Sequence, residues 1–267
     1  MKYGVIHYNA PGATLEAFLD WAADSGFDCT ELQCPDVWPA GCENPEKVAE
    51  GVAKLLQARN MECSGLALHN DFCVLAAEDI EFQVARSKRM ASVIQIMGCN
   101  ILRTEGGQPK DSVPMDRWAE AMSGCLLRCA EWAEPMGIKL AVDNHGIVSN
   151  HMPTMLETLR TVNLPKVVGT NLDTMNLRWY GNDLVDIDKY YEEIAPYVMH
   201  THMKDGFGWR EIYKGAALGE GEINLKKAVC EAKKAGYNGP WVAEYEGPEG
   251  DGVGYRKCLA WMKANIE

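Results

Sequence analysis

The sequence lacks what several classes of function require. It has no run of about 18 apolar residues, so no membrane-spanning helix is expected. None of its ten cysteines forms a Cys-x-x-Cys pair, which removes the spacing of a zinc knuckle. The thiols, Cys63, Cys99, Cys125 and Cys129 among them, read instead as buried free cysteines of a reducing cytoplasm. Basic residues are scarce: 26 Lys and Arg stand against 38 Asp and Glu, a net charge of −12. An acidic surface repels a phosphate backbone, so a nucleic-acid partner is not expected. The first βα turn, Asn9-Ala10-Pro11-Gly12, has no Gly-x-Gly-x-x-Gly, which counts against a dinucleotide fold. The opening residues, Met1 to Tyr8, are too short and polar for a signal peptide and read as a strand. No linker, low-complexity segment or charge block appears, so residues 1–267 are read as one domain.

What is present is a rhythm. Apolar runs predict strands at 3–8, 29–34, 63–69, 101–105, 139–144, 167–173, 198–204 and 241–245. Helical spacing fills the intervals: from Thr14, a candidate cap, to Gly26; from Pro45 to Asn60; over 79–97, 115–136, 153–162, 187–194 and 225–235; and a last helix near the C-terminus. Gly98 is the expected stop of the third helix. A long loop is expected over 206–221. Eight strands alternating with eight helices predict an α/β protein, a single (β/α)8 TIM barrel.

In a barrel, chemistry belongs at the C-terminal ends of the strands. Four consecutive strands end in carboxylates or histidines: Asp143-Asn144-His145, Asn171-Leu172-Asp173, His200-Thr201-His202-Met203-Lys204-Asp205, and Glu244-Tyr245-Glu246. Strand alternation puts His200, His202 and Lys204 on one face, pairs Asp143 with His145, and pairs Glu244 with Glu246. Asp143, Asp173, His202 and Glu244 together would repel in a closed site, and a divalent cation removes that cost. An oxygen-rich set with one imidazole suits Mn2+, Mg2+, Co2+ or Fe2+, with Zn2+ also admissible. Each residue also has a plain alternative. Asp173 reads as a helix cap, Glu246 and Lys204 as each other's partners, Arg103 as a partner of Glu105, and His145 as a loop histidine bonded to a carboxylate.

These segments resemble the xylose isomerase-like TIM-barrel superfamily, in its sugar phosphate isomerase/epimerase branch. That branch includes ketose 3-epimerases, hydroxypyruvate isomerases and inosose dehydratases, with endonuclease IV more distant. The matching pieces are Leu140 to His145, Asn171 to Thr174, His200 to Asp205, Leu218 to Ile223 and Glu244 to Gly247. The resemblance implies one divalent ion, Mn2+ foremost, held by Asp143, Asp173, His202 and Glu244. It departs from the family at Asp143, where Glu usually precedes Asn-His, and this puts the two-glutamate epimerase mechanism in question. The expected chemistry is proton abstraction next to the carbonyl of a sugar or keto-sugar, through an enediolate, with Asp143, Glu244 and His145 as catalytic groups. The outcome is isomerisation or epimerisation. Elimination by a lyase or dehydratase, including keto-glycoside cleavage, is the runner-up, and a non-catalytic sugar-binding barrel the third reading. Endonuclease IV chemistry is disfavoured, because Asn176 stands where a further histidine would be needed. Expected substrate contacts are His69, Arg103, Glu31, Lys204, Glu246, Asn176 and Trp209, with His7, Trp38 and Trp179 as further strand-end and loop candidates. The partner expected is a small-molecule sugar, and the chain is free to form a homo-oligomer.

Overall fold

Short apolar runs become strands here because helices cover them on one side and the barrel interior closes the other. The computed structural model describes residues 1–267. In chain order the strands are β1 (Tyr3–Ile6), β2 (Cys29–Gln33), β3 (Glu62–Ala67), β4 (Ile101–Glu105), β5 (Lys139–Asp143), β6 (Val168–Asp173), β7 (Val198–Met203), β8 (Asp205–Phe207), β9 (Lys214–Ala216) and β10 (Trp241–Ala243). β1 to β7 and β10 are parallel and form a closed barrel, which β10 completes by pairing with both β7 and β1. The fold is therefore the expected (β/α)8 barrel, with β8 and β9 as a separate antiparallel hairpin.

The helices are α1 (Leu15–Ser25), α2 (Cys34–Val37), α3 (Pro45–Ala58), α4 (Ala77–Ile96), α5 (Trp118–Met136), α6 (Met152–Val162), α7 (Asn176–Tyr180), α8 (Leu184–Ile194), α9 (Leu225–Lys234) and α10 (Val253–Asn265). Their ends follow local chemistry. Thr14 accepts from Ala17 N at 3.2 Å to start α1, and Gly26, at φ 87°, ends it. Gly98 takes φ 72° just beyond α4, as its position suggested. Cys125 and Cys129 are fully buried on α5, in the core as expected. None of the helices is long and apolar enough to cross a membrane.

Several expected boundaries move. β1 stops at Ile6 because Tyr8 N turns back to Ile6 O at 2.8 Å. β3 stops at Ala67, and His69 sits beyond it at φ 53°. β7 and β10 end one and two residues short of the expected 204 and 245. The stretch 206–221, read as loop, contains most of the β8–β9 hairpin.

Two bulges shape the barrel interior. The β2–β3 register slips between Thr30 and Glu31, and the β6–β7 register slips between Thr170 and Asn171. A bulge re-aims the side chain beside it. The same device stabilises both. Thr30 Oγ1 donates to Val5 O at 2.8 Å, and Thr170 Oγ1 donates to Val142 O at 2.8 Å. Glu31 and Asn171, the residues after the slips, both point into the interior. Gly65 on β3 makes room there, since a Cβ on it would lie 3.1 Å from His200 Nε2.

The hairpin is anchored by one buried carboxylate. Asp205 Oδ1 accepts from Gly206 N (2.8 Å) and Ile223 N (3.2 Å), and Oδ2 accepts from Gly219 N (2.9 Å) and Gly221 N (3.1 Å). Asp205→Ala strips these donors of their acceptor and is expected to cost about 3 kcal/mol. Chemical denaturation measures the loss, and limited proteolysis within 206–221 should accelerate. An unchanged proteolysis rate would contradict the anchoring role.

Candidate metal and sugar site

The C-terminal half of the barrel interior is filled by charge rather than by branched apolar side chains. Glu31, Arg103, Asp143, Asn171, Asp173, His200, His202 and Lys204 are all buried there. They form two connected groups, one deeper and one towards the mouth.

In the deeper group, Arg103 Nε donates to Glu31 Oε1 at 2.7 Å and Nη1 to Asp143 Oδ2 at 2.5 Å. Asp143 Oδ1 accepts from Asn171 Nδ2 at 2.7 Å. A carboxylate only accepts, so the Asn171 amide nitrogen faces Asp143 and its oxygen faces His200 Nδ1, 2.9 Å away. Nδ1 of His200 therefore carries the proton, and Nε2 faces Ser64 Oγ at 3.4 Å. Burial pushes the His200 pKa down to about 4 against the pull of Glu31, so this ring is neutral. Burial would raise the Glu31 carboxyl, but His202 and Arg103 outweigh it and hold the group ionised.

The outer group is built around His202. Nε2 lies 2.7 Å from Glu31 Oε2. Nδ1 lies 2.9 Å from Glu244 Oε2 and 4.0 Å from Asp173 Oδ2. Asp173 Oδ2 is buried without a hydrogen-bond partner, and the ion-pair contact of His202 Nδ1 with Glu244 is not aligned as a hydrogen bond. Asp173, His202 and Glu244 can each offer one ligand atom, all within 4.8 Å of one another. Burial, with help from Glu244 and Asp143 and against Lys204, pushes the Asp173 pKa up to about 8. Burial would lower His202, but Glu31 and Glu244 keep it well above the ordinary imidazole range. Crowded carboxylates around two unpartnered atoms fit a divalent cation, which would take the donors that hydrogen bonds leave free.

Asp173 serves two purposes at once. Its Oδ1 accepts from Met175 N and Asn176 N, both at 2.8 Å, as a helix cap would. Its Oδ2 is the oxygen left without a hydrogen-bond partner, the one a cation would use. The two readings of this residue in the sequence divide between its two oxygens.

The remaining expected residues are placed as follows. Asp143 stands apart from the converging trio, with both oxygens taken by Arg103 and Asn171. Glu31 is fully buried with both oxygens taken, so it offers no edge to a substrate hydroxyl. Arg103 approaches Glu105 only at 3.6 Å, and its short contacts go to Glu31 and Asp143. Lys204 Nζ sits 2.8 Å from both Glu244 Oε1 and Glu246 Oε2 and 3.4 Å from Asn176 Oδ1. Burial opposes its charge, but Glu244, Asp173 and Glu246 hold it as an ammonium. His145 is half exposed at the mouth, with Nδ1 3.9 Å from Asp143 Oδ2. His69 bonds Gln33 Oε1 at 2.8 Å, and His7 is paired with Asp36 at 2.9 Å. Trp209 is exposed on the hairpin turn beneath Arg178, whose guanidinium lies 5.7 Å from the ring.

Two participants were not anticipated. Asn171 shares a strand face with Asp173, and alternation alone would have found it. Tyr213, in the hairpin, donates to Glu246 Oε2 at 2.8 Å and carries no signal in the sequence.

A cavity of about 920 Å3 opens at the opposite end of the barrel, among strand starts such as Cys29, Cys63, Ile101 and Lys139. It gathers no set of ligand atoms like that at the C-terminal end, where the chemistry of such barrels sits.

Structural comparison agrees with the architecture. IolI, in a structure with a bound zinc atom, superposes with a TM-score of 0.81 at 16% identity, covering 100% of this chain and 98% of IolI. D-psicose 3-epimerase from Clostridium cellulolyticum H10, solved with D-tagatose, gives 0.78 at 14% identity over 100% of both chains. A probable 3-DHS dehydratase from Bacillus anthracis gives 0.71 at 15% identity, again over 100% of both. At these identities the likeness is one of fold. No curated protein matches the sequence. The profile of the xylose isomerase-like TIM barrel matches residues 19–265, and with that match over nearly the whole length the chain belongs to the xylose isomerase-like TIM-barrel family.

Proposed function

We propose that this protein is a divalent-metal-dependent enzyme that removes a proton next to the carbonyl of a sugar or keto-sugar, as an isomerase or epimerase. One observation carries the reading: two buried atoms without hydrogen-bond partners, Asp173 Oδ2 and His202 Nδ1, converge with Glu244 at the catalytic end of the barrel. The donor set suits Mn2+ foremost, with Mg2+, Co2+, Fe2+ and Zn2+ also compatible. A cation held there would supply Lewis-acid stabilisation of the charge that develops on the substrate oxygens. Zinc in the IolI structure and ketose chemistry in the epimerase relative are consistent with this reading.

The chain's own residues then divide the work. Asp173, His202 and Glu244 hold the cation. Lys204 keeps a fixed positive charge beside Glu244 and Glu246. His145, at the mouth, takes the proton and returns it to the neighbouring carbon in an isomerisation, whereas an epimerisation needs a second acid on the opposite face, the place of Glu244. Trp209 and the hairpin cover the ring of the sugar and exclude water.

Elimination is a second reading, favoured by the state of Asp143. With both its oxygens engaged, strand β5 offers no free carboxylate for a two-carboxylate epimerisation. A single base at His145, with Lys204 or the Tyr213–Glu246 pair donating a proton to a leaving group, fits a dehydratase or lyase.

Incubation of ketoses and keto-inositols with the Mn2+-loaded protein in deuterated water tests the core claim. Deuterium should enter at the carbon beside the carbonyl, only with the ion present, and Glu244→Gln should suppress it. Full exchange in the chelator-treated protein would sink the proposal. Recovery of a dehydrated product in place of an epimer would select elimination.

A further inference from the structure

We propose that Glu31, on β2, is the positioning residue that fixes the proton of His202 on Nε2 and so commits Nδ1 to the cation. This rests on the metal reading of Asp173, His202 and Glu244. Glu31 Oε2 lies 2.7 Å from His202 Nε2, and an ionised carboxylate can only accept, so the Nε2 position must donate. With Nε2 held as the donor to Glu31, Nδ1, the atom that faces Asp173 and Glu244, is the nitrogen that would give up its proton and offer its lone pair to a cation. A carboxylate behind a metal-binding histidine sets its tautomer and ring orientation in this way.

Glu31 is itself held in place. Its side chain is fully buried in the barrel interior beside the β2–β3 register slip, where Ser64 is the extra residue on β3. Its other oxygen accepts from Arg103 Nε at 2.7 Å, and Arg103 is fixed in turn by Asp143, which Asn171 steadies. His200 Nδ1 lies 3.3 Å from Glu31 Oε2 on the remaining side. This chain gives Asp143 a role at one remove: it orients the arginine that orients the glutamate.

Glu31, His200 and His202 form a second trio that is itself close enough to chelate an ion. Two features direct a cation away from it. The Arg103 guanidinium already neutralises Glu31, and all three members of the trio are sealed in the interior, whereas the other trio reaches the mouth through Glu244. The Lys204 ammonium beside Glu244 is less restrictive, since it has Glu246 and Asn176 as alternative partners further along the strand ends.

Calorimetric titration of the chelator-treated full chain with Mn2+ tests the assignment in the wild type, Glu31→Gln and Glu31→Asp. One ion per chain is expected for the wild type, with affinity lowered about 10- to 100-fold in both variants. Gln keeps the reach and loses the charge; Asp keeps the charge and loses the reach. A loss confined to Gln would assign the effect to charge alone and overturn the positioning role, as would full affinity in both. A wild type that binds no ion sinks the metal reading itself, which is a separate result from an ion bound equally by all three proteins. A second measurement does not depend on whether the variants fold. In the Cd2+-loaded wild type with 15N-labelled histidine, His202 should bind through Nδ1 and keep its Nε2 proton. Coordination through Nε2 would place the ion in the Glu31–His200–His202 trio and overturn the proposal.

Discussion

Asp173→Asn is expected to leave the fold intact while removing most of the metal affinity and nearly all turnover. The asparagine oxygen can still accept from Met175 N and Asn176 N, so the start of α7 is preserved. What changes is the second oxygen, which becomes an amide nitrogen and no longer offers a lone pair to a cation. A lost ligand should cost more than a residue one shell out, so affinity should fall at least about 100-fold. Lewis-acid stabilisation is worth several kcal/mol, so turnover on a confirmed substrate should fall by roughly three orders of magnitude. The metal-free variant should be as stable as the metal-free wild type or more so, because Asp173 Oδ2 is buried without a partner. Thermal unfolding, titration and steady-state kinetics give the three readouts. Turnover within a few-fold of the wild type would remove Asp173 from the site.

The second large effect is on stability. Arg103→Met should cost about 3–5 kcal/mol, because it leaves two buried carboxylates without their cation. Arg103 is 5% exposed and pairs with Glu31 and Asp143 at 2.7 and 2.5 Å. After the change Glu31 keeps its histidines, whereas Asp143 keeps only Asn171. Adding Asp143→Asn to Arg103→Met should therefore recover part of the loss, since the two residues are coupled through one contact. Denaturant unfolding of the single and double variants measures this. Strict additivity of the two changes would contradict the network.

The barrel was legible because its signal is repeated. Strand runs such as 139–143 and 168–173 are apolar up to a polar end, and capped helices separate them, so an error at one boundary leaves the count unchanged. The same regularity placed His200, His202 and Lys204 on one inward face, and the structure puts all three there. The β8–β9 hairpin escaped notice because three-residue strands carry too little alternation to be read. Arg103 is only partly legible, for a different reason. Its near neighbour Glu105 is visible in sequence and pairs with it at 3.6 Å, but its closer partners lie 72 and 40 residues away and meet it only once the barrel closes. The one-residue slips at Glu31 and Asn171 have no sequence mark either, yet they decide what those side chains touch. Asp143 shows the limit most clearly. Its position at a strand end points to a ligand, and its bonds to Arg103 and Asn171, which no spacing in the sequence announces, appear only in the structure.

The central claim is that Asp173, His202 and Glu244 hold one divalent cation. Calorimetric titration of the chelator-treated protein with Mn2+ tests it most directly, with Asp173→Asn alongside. The account predicts saturable binding of one ion per chain in the wild type and its loss in the variant. No saturable binding, or binding that survives Asp173→Asn undiminished, would contradict it.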